Sequence, residues 1–139
     1  SVELIAYPDA HTPSDTVLYL PSDGILFLSD LLFVGCHPFL ADGDPDNLLH
    51  TFGHIASFDA LILVPGHEPP GTKNDLDLMK SYVSHCRHTA MNLHATGQQA
   101  DAISQQVIPE PFMEWEFPNF FPANLRFYDR RLATEQCEG

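Results

Sequence analysis

Residues 10–33 decide the fold, and they read AHTPSDTVLYLPSDGILFLSDLLF. Two short apolar runs, at 16–20 and 25–28, flank the segment PSDG, whose Pro, Asp and Gly favour a tight turn. The stretch therefore predicts a β-hairpin. Both strands are apolar at consecutive positions rather than at alternate ones, which indicates a sheet that is covered on both faces.

Three polar residues lie at the ends of predicted strands. His11 and Asp30 lie just beyond the outer ends of the hairpin, and His67 follows a later apolar strand in the sequence VPGH. Histidine nitrogen and carboxylate oxygen are ligands that zinc, iron and manganese accept, and a catalytic site needs them on rigid supports. The pattern therefore predicts a metal site at which these three residues converge. Thr12 and Asp15 lie close enough in sequence to orient His11.

Several other His and Cys residues could have either a role in the site or an ordinary structural role. His37, in the loop after Asp30, can reach the mouth of the site and contact substrate; the alternative is a histidine in a surface loop. Cys36, beside it, is expected to be a packed and chemically inert residue. His50 and His54 lie four residues apart, a spacing that can bind metal, but a polar helix face is the expectation.

The bulk composition excludes several classes of partner. The 139 residues carry a net charge of −13 with only six Lys and Arg, so nucleic acid and anionic membranes are not expected to bind. No run reaches the roughly 18 apolar residues that span a bilayer. Three cysteines without metal-finger spacing indicate reduced thiols, and hence a cytoplasmic protein. The chain begins SVELIAY without Met, which suggests a fragment or a processed product.

The sequence as a whole predicts one mixed α/β domain that includes the hairpin. Apolar periodicity and capping residues predict its other elements. They are a strand at 2–7, a helix at 45–57, a strand at 60–64, a helix at 74–95, a short helix at 100–107 and a final helix at 122–133. The aromatic-rich segment 112–121 is expected to clamp over the core, with a substrate-pocket wall or a partner surface as the alternatives.

The order of these motifs resembles that of one family. HTPSD, a hairpin, SDLLF and then a strand followed by PGH are similar to the C-terminal half of the metallo-β-lactamase-fold hydrolases. The pattern of that family is GHT-x-x-D, a hairpin, GD-hydrophobic-hydrophobic-F and later PGH. The resemblance covers about residues 3–85, and it departs from the pattern at Ala10 and Ser29, where the family has Gly.

This resemblance implies a fold class and a ligand set. The fold is an α/β fold, the αβ/βα sandwich with a mixed sheet and flanking helices, of which this chain is the C-terminal half. Residues 1–71 would hold the strands and the metal-ligand loops, and residues 72–139 the helical C-terminal part. His11 matches the third ligand of a first zinc ion, Asp30 the carboxylate that bridges two ions, and His67 the histidine on the second. The full protein would hold one or two zinc ions, with iron or manganese as alternatives.

The resemblance also implies a function. The H-x-H-x-D-H motif that supplies the remaining ligands in the family is absent from these 139 residues. We therefore expect the C-terminal portion of a zinc-dependent hydrolase, whose metal-bound hydroxide attacks a small-molecule ester, thioester, lactone, amide or phosphoester. The isolated chain is expected to be inactive, so the sequence leaves open whether it is an enzyme by itself.

The alternative is a non-catalytic half-domain that self-associates or binds a partner. A half-sandwich leaves one apolar sheet face without cover. The partner that hides this face would be the missing N-terminal half or a second copy of the chain, which would make a dimer.

Overall fold

The centre of the structure is a four-stranded mixed sheet with helices packed on one face. The computed structural model describes residues 1–97 and 100–138. The strands are β1 (Glu3–Pro8), β2 (Ser14–Leu20), β3 (Ile25–Ser29) and β4 (Ile62–Pro65). The helices are α1 (Pro45–Ala56), α2 (Lys73–Ala95), α3 (Ala100–Ser104) and α4 (Phe120–Glu138), with a 3-10 turn at Glu110–Phe112. This architecture confirms the predicted fold class.

The sheet follows the order β1-β2-β3-β4, and its last pair brings two strand ends together. The first three strands pair antiparallel, and the predicted β2–β3 hairpin is confirmed, with Leu20 opposite Ile25. β3 and β4 pair parallel, across a connection that contains α1. Parallel strands need such a crossover, and their C-terminal ends then lie side by side. Asp30 and His67 follow these two ends.

One face of the sheet forms the core together with the helices. Val17 of β2, Leu26 and Leu28 of β3 and Leu63 of β4 are completely buried. They join the apolar faces of α1 and α2 in one cluster. The helical members of that cluster include Leu48, Phe52, Ile55, Leu76, Met79 and Val83.

The opposite face of the sheet carries apolar side chains that residues 1–97 and 100–138 do not cover. Leu4, Leu18, Phe27 and Val64 lie in register across all four strands. Leu4 and Phe27 are 71% and 40% exposed. The consecutive apolar positions predicted a sheet covered on both faces, and the described part of the chain supplies the cover for only one.

Local capping explains where the long helices begin. At α1, the Asp44 side chain accepts hydrogen bonds from the first-turn amides and Pro45 occupies the first helical position. At α2, Thr72 and Asp75 form a capping box. Both helices lie within one residue of their predicted ranges. α4 is longer at both ends than predicted, and α3 is shorter.

The aromatic segment before α4 divides between the core and the surface. Phe112 and Phe121 are buried, and the Trp115 ring lies against Tyr82 with the centroids 5.4 Å apart. Phe117, in contrast, is exposed. The predicted clamp over the core is therefore formed by only part of the segment.

The strands and the C-terminal helices occupy different parts of the sequence. All four strands lie within residues 1–71, as does α1, and the other three helices lie within 72–139. Residues 98, 99 and 139 of that second part lie outside the described residues. In the described ranges, no helix is both long and apolar enough to cross a membrane.

Candidate functional site

Asp30 and His67 meet at the C-terminal ends of β3 and β4. The Nε2 atom of His67 lies 3.0 Å from Oδ1 of Asp30, and the two side chains are 72% and 38% exposed. An exposed pair of this kind contributes little to stability. Its position at a solvent-accessible strand end instead leaves the remaining oxygen and nitrogen atoms available to a ligand.

Gly66 makes this close approach possible. Its amide donates to the carbonyl of Ser29 at 2.8 Å. A Cβ at position 66 would lie 2.4 Å from Oδ1 of Asp30. Because no real Cβ contact is so short, any side chain at position 66 would displace the Asp30 carboxylate from its place beside His67.

Ser29 departs from the family pattern at a position where glycine has a clear advantage. Its φ is 51°, in the left-handed region that side chains with a Cβ rarely adopt. The backbone turns there, and the amide of Leu31 donates to the carbonyl of Leu28 at 3.1 Å. The chain therefore presents Asp30 through a turn that serine tolerates at a cost.

His11 is held by its backbone rather than by its ring. Asp15, which is almost completely buried, accepts hydrogen bonds from the amides of His11 and Thr12, both at 3.0 Å. The His11 ring lies against Phe33, with the centroids 5.4 Å apart. Its Nδ1 atom is buried and has no hydrogen-bond partner among the residues that the structure describes. Thr12 and Asp15 thus orient the loop of His11, as predicted from their spacing, but not the imidazole.

The loop of His11 packs directly against Gly43 and Asp44, the last two residues before α1. A Cβ at Gly43 would lie 2.0 Å from the carbonyl oxygen of Ala10, so only glycine fits there. The next amide, that of Asp44, donates to the same carbonyl at 3.1 Å. The loop that presents His11 is therefore fixed by the backbone of a neighbouring loop.

The structure brings two of the three predicted ligands together. Asp30 and His67 are in contact, whereas His11 does not complete a group with them. Among residues 1–97 and 100–138, no three His, Cys, Asp or Glu side chains are grouped so that they could hold a metal ion. The three-ligand assignment therefore stays a prediction.

His37 lies in the core and not in a surface loop. It is 1% exposed, and its Nδ1 atom lies 2.9 Å from the hydroxyl of Tyr82. The rings of Trp115 and Phe121 surround it at centroid distances of 5.8 and 6.3 Å. Burial lowers the pKa of His37 and favours the neutral imidazole. A substrate contact by His37 stays a prediction, and it would require an opening in this aromatic surround.

Sequence reasoning missed one contact beside the site. The Cys36 thiol donates to Oε1 of Glu68 at 2.7 Å, and the other oxygen of Glu68 is buried without a partner. Burial, and then the neighbouring Glu68 carboxylate, raise the pKa of the Cys36 thiol to about 12. The thiol is therefore protonated and unreactive, which agrees with the expected inert packing. The adjacency of Glu68 to His67 in PGHE was the only available signal.

Comparison with known proteins gives one family. Residues 2–67 match the model of the metallo-beta-lactamase superfamily. A search of curated proteins found no match.

Several solved structures share the fold. The metallo-beta-lactamase from Pontibacter korlensis is 26% identical over 60% of this chain and 41% of its own, with a TM-score of 0.54. FIM-1 from Pseudomonas aeruginosa, in its mono-zinc form, is 22% identical over 60% of this chain and 39% of its own, with a TM-score of 0.55. The sec-alkylsulfatase Pisa1 from Pseudomonas sp. is 18% identical over 94% of this chain and 24% of its own, with a TM-score of 0.71. The chain thus spans well under half the length of each.

The fold, the motif order and these matches agree. The chain is part of a metallo-β-lactamase-fold domain. More closely, its strand order and flanking helices match the C-terminal half of the αβ/βα sandwich.

Proposed function

We propose that this chain is the C-terminal portion of a zinc-dependent hydrolase that acts on a small-molecule ester, thioester, lactone, amide or phosphoester. The observation that carries the proposal is the 3.0 Å contact between Asp30 and His67. It joins the two side chains that match the family ligands, at the ends of two adjacent parallel strands. In an α/β sheet, that edge is where ligands bind.

The donor atoms fit a metal ion as part of a ligand set. His67 and Asp30 offer nitrogen and oxygen that already converge, and His11 offers a buried nitrogen that lacks a partner. A buried polar atom without a partner is costly, and a metal ion is one partner that would satisfy it. These donor types suit zinc, and iron or manganese are the alternatives. Zinc, when bound, lowers the pKa of a water toward neutrality and so supplies a nucleophile.

The residues of this chain would then hold the metal ion and orient its ligands. Asp30 has two carboxylate oxygens, of which one now contacts His67, so it can bind on two sides. Gly66 sets the spacing between these ligands, because any side chain there would displace Asp30. Asp15 fixes the loop of His11 through backbone amides and leaves its ring nitrogens for the metal.

The isolated chain is proposed to be catalytically silent. A catalytic zinc site needs three protein ligands on one ion and an open position, and the dinuclear form needs more. The family motif with the other ligands does not occur in these 139 residues. We propose that a separate polypeptide segment, the N-terminal half of the sandwich, completes the site. The three free thiols support a cytoplasmic location as part of the same proposal.

Zinc titration of the chain against a chromophoric chelator tests the ligand assignment. We expect zinc to bind, and His67→Ala and Asp30→Ala each to weaken binding about tenfold or more, because each removes one of few donors. His88→Ala, on the exposed side of α2, is the matched control and should change nothing.

A second substitution guards against an unrelated site. His50 and His54 lie one helical turn apart on α1, and such a pair can chelate a metal by itself. Zinc binding that survives His67→Ala but is lost in His50→Ala would place the ion on α1 and remove the proposal.

The second candidate function is association without catalysis. It is favoured by the exposed apolar face of the sheet, where Leu4, Phe27 and Ile62 are all exposed. The N-terminal half of the sandwich or a second copy of this chain would cover that face. Both proposed functions require a partner that covers this face, and they differ in whether the chain binds zinc.

A further inference from the structure

Three phenylalanines form a surface patch that the core does not use. Phe39 lies in the loop before α1, Phe117 in the segment before α4, and Phe120 at the first position of α4. The Phe120 centroid lies 5.6 Å from that of Phe39 and 5.9 Å from that of Phe117. Phe117 and Phe39 are 59% and 38% exposed. These three residues are named the aromatic patch.

Phe117 presents its ring from an unfavourable backbone conformation. Its φ is 58°, which is rare for a bulky residue, and it precedes Pro118, before which extended backbone is preferred. Strained conformations of this kind concentrate at ligand sites. Since most of the ring is exposed, burial within this chain does not explain why the strain is tolerated.

The patch is held in place from both sides. The amide and carbonyl of Glu116 bond to Gly35 and His37 across the loop, at 3.0 and 2.9 Å. The side-chain amide of Asn124 bonds to the backbone on either side of Phe39, at 3.0 and 2.8 Å. A surface that is ordered before binding loses less entropy when a ligand arrives.

The same loop connects the patch to the candidate site. Cys36 pairs with Glu116 in a short parallel bridge, and its thiol donates to Glu68 at 2.7 Å. Glu68 follows His67, which contacts Asp30. The patch and the paired ligands therefore lie on either side of one hydrogen-bonded loop.

Size and charge select the kind of ligand. A phenylalanine buries roughly 150–250 Å² when it is fully covered, and here only part of each of three rings is free. A stable protein interface needs about 800 Å² on each partner, so the patch is too small for one. It suits an alkyl chain or an aryl ring. The net charge of −13 disfavours an anionic group.

We propose that the aromatic patch binds the uncharged alkyl or aryl part of the substrate, whose reacting bond would lie at Asp30 and His67. This inference rests on the proposed hydrolase function and adds a substrate class to it. It predicts a preference for substrates with a long apolar group over short ones.

The single tryptophan of the sequence makes a direct test possible. Trp115 lies two residues before Phe117, and a bromine atom quenches indole fluorescence on contact. We expect 8-bromooctan-1-ol to quench the 139-residue chain with saturation, while 2-bromoethanol quenches only in proportion to its concentration. Phe117→Gly and Phe39→Ala should each raise the half-saturation concentration about fivefold or more. Val107→Ala, at another exposed apolar residue outside the patch, is the control and should leave it unchanged.

Folding and binding can be separated in this test. Phe117→Gly should not lower the urea midpoint, because glycine adopts a positive φ without strain. His67→Ala should weaken zinc binding and leave the quenching intact, so failure of the metal proposal and failure of the patch give different results. Quenching without saturation would overturn the inference. So would saturable quenching that persists in Phe117→Gly and is lost in Phe27→Glu, since that places the alkanol on the sheet face.

Discussion

Ser29 shows how a single backbone angle can limit the stability of the candidate site. Its φ of 51° lies in a region that costs a residue with a Cβ roughly 1–2 kcal/mol. Glycine avoids this cost, although it loses about 0.5–1 kcal/mol more backbone entropy on folding. We therefore expect Ser29→Gly to raise the free energy of unfolding by up to about 1 kcal/mol, as measured by urea denaturation.

Ser22→Gly is the matched control for that prediction. Ser22 lies in the exposed turn between β2 and β3, and its φ is not positive. Glycine there brings only the entropy cost, so the free energy of unfolding should fall by up to about 1 kcal/mol. If the two variants changed stability in the same direction, strain at Ser29 would not be the explanation.

At the residue scale, the sequence predicted contacts between residues of recognisable motifs, and it missed contacts that depend on packing between distant parts of the chain. Asp30 and His67 could be paired because both follow apolar strands in a recognisable order. The burial of His37 depends on Tyr82, 45 residues away, and the Cys36 hydrogen bond depends on Glu68, 32 residues away. Local sequence patterns do not predict which residues so far apart in the chain come into contact.

Among the elements, Asn124 joins α4 to the loop before α1 and to α2. It is almost completely buried, and its Oδ1 accepts from the Leu40 amide at 3.0 Å. Its Nδ2 donates to the Pro38 carbonyl at 2.8 Å and to the Tyr82 hydroxyl at 3.1 Å. Asn124→Ala removes the side-chain partner of the buried Leu40 amide and Pro38 carbonyl, whereas the Tyr82 hydroxyl keeps its contact with His37. We therefore expect a loss of about 2–3 kcal/mol in the free energy of unfolding.

The control for Asn124 is Asn92→Ala, at an exposed position of α2. This change should alter stability by no more than about 0.5 kcal/mol. Equal effects of the two substitutions in urea denaturation would show that the buried hydrogen bonds of Asn124 do not stabilise the fold.

The elements themselves were predictable to different degrees. α1 and α2 begin at caps that the sequence displays, Asp44 with Pro45 and Thr72 with Asp75, and these follow local rules. The ends of α3 and α4 were predicted less well, since α3 ends earlier than predicted and α4 extends further in both directions. α4 packs against α2 and α3, and contacts of this kind between distant segments are not visible in a local sequence pattern.

On the scale of the whole molecule, the sheet has one covered and one uncovered face. Leu4, Leu18, Phe27 and Val64 form an apolar row across all four strands of the uncovered face. Burying such a row gains about 25 cal/mol per Å² of apolar area, so a partner that fits it would bind favourably. The net charge of −13 opposes self-association by repulsion, and this repulsion weakens with salt.

Association through the uncovered face can be tested at its centre. We expect the chain to dimerise, more strongly as salt is raised, and Phe27→Glu to raise the dimer dissociation constant about tenfold or more, because it buries a charge in the row. Val107→Glu adds the same charge at an exposed apolar residue outside the sheet and should have a much smaller effect. Light scattering on a concentration series at two ionic strengths measures the dimer dissociation constant and its dependence on salt.

A chain that stays monomeric at all concentrations and salts would remove self-association and leave the N-terminal half of the sandwich as the partner. Equal weakening by both substitutions would mean that net charge, and not the sheet face, controls the dimer.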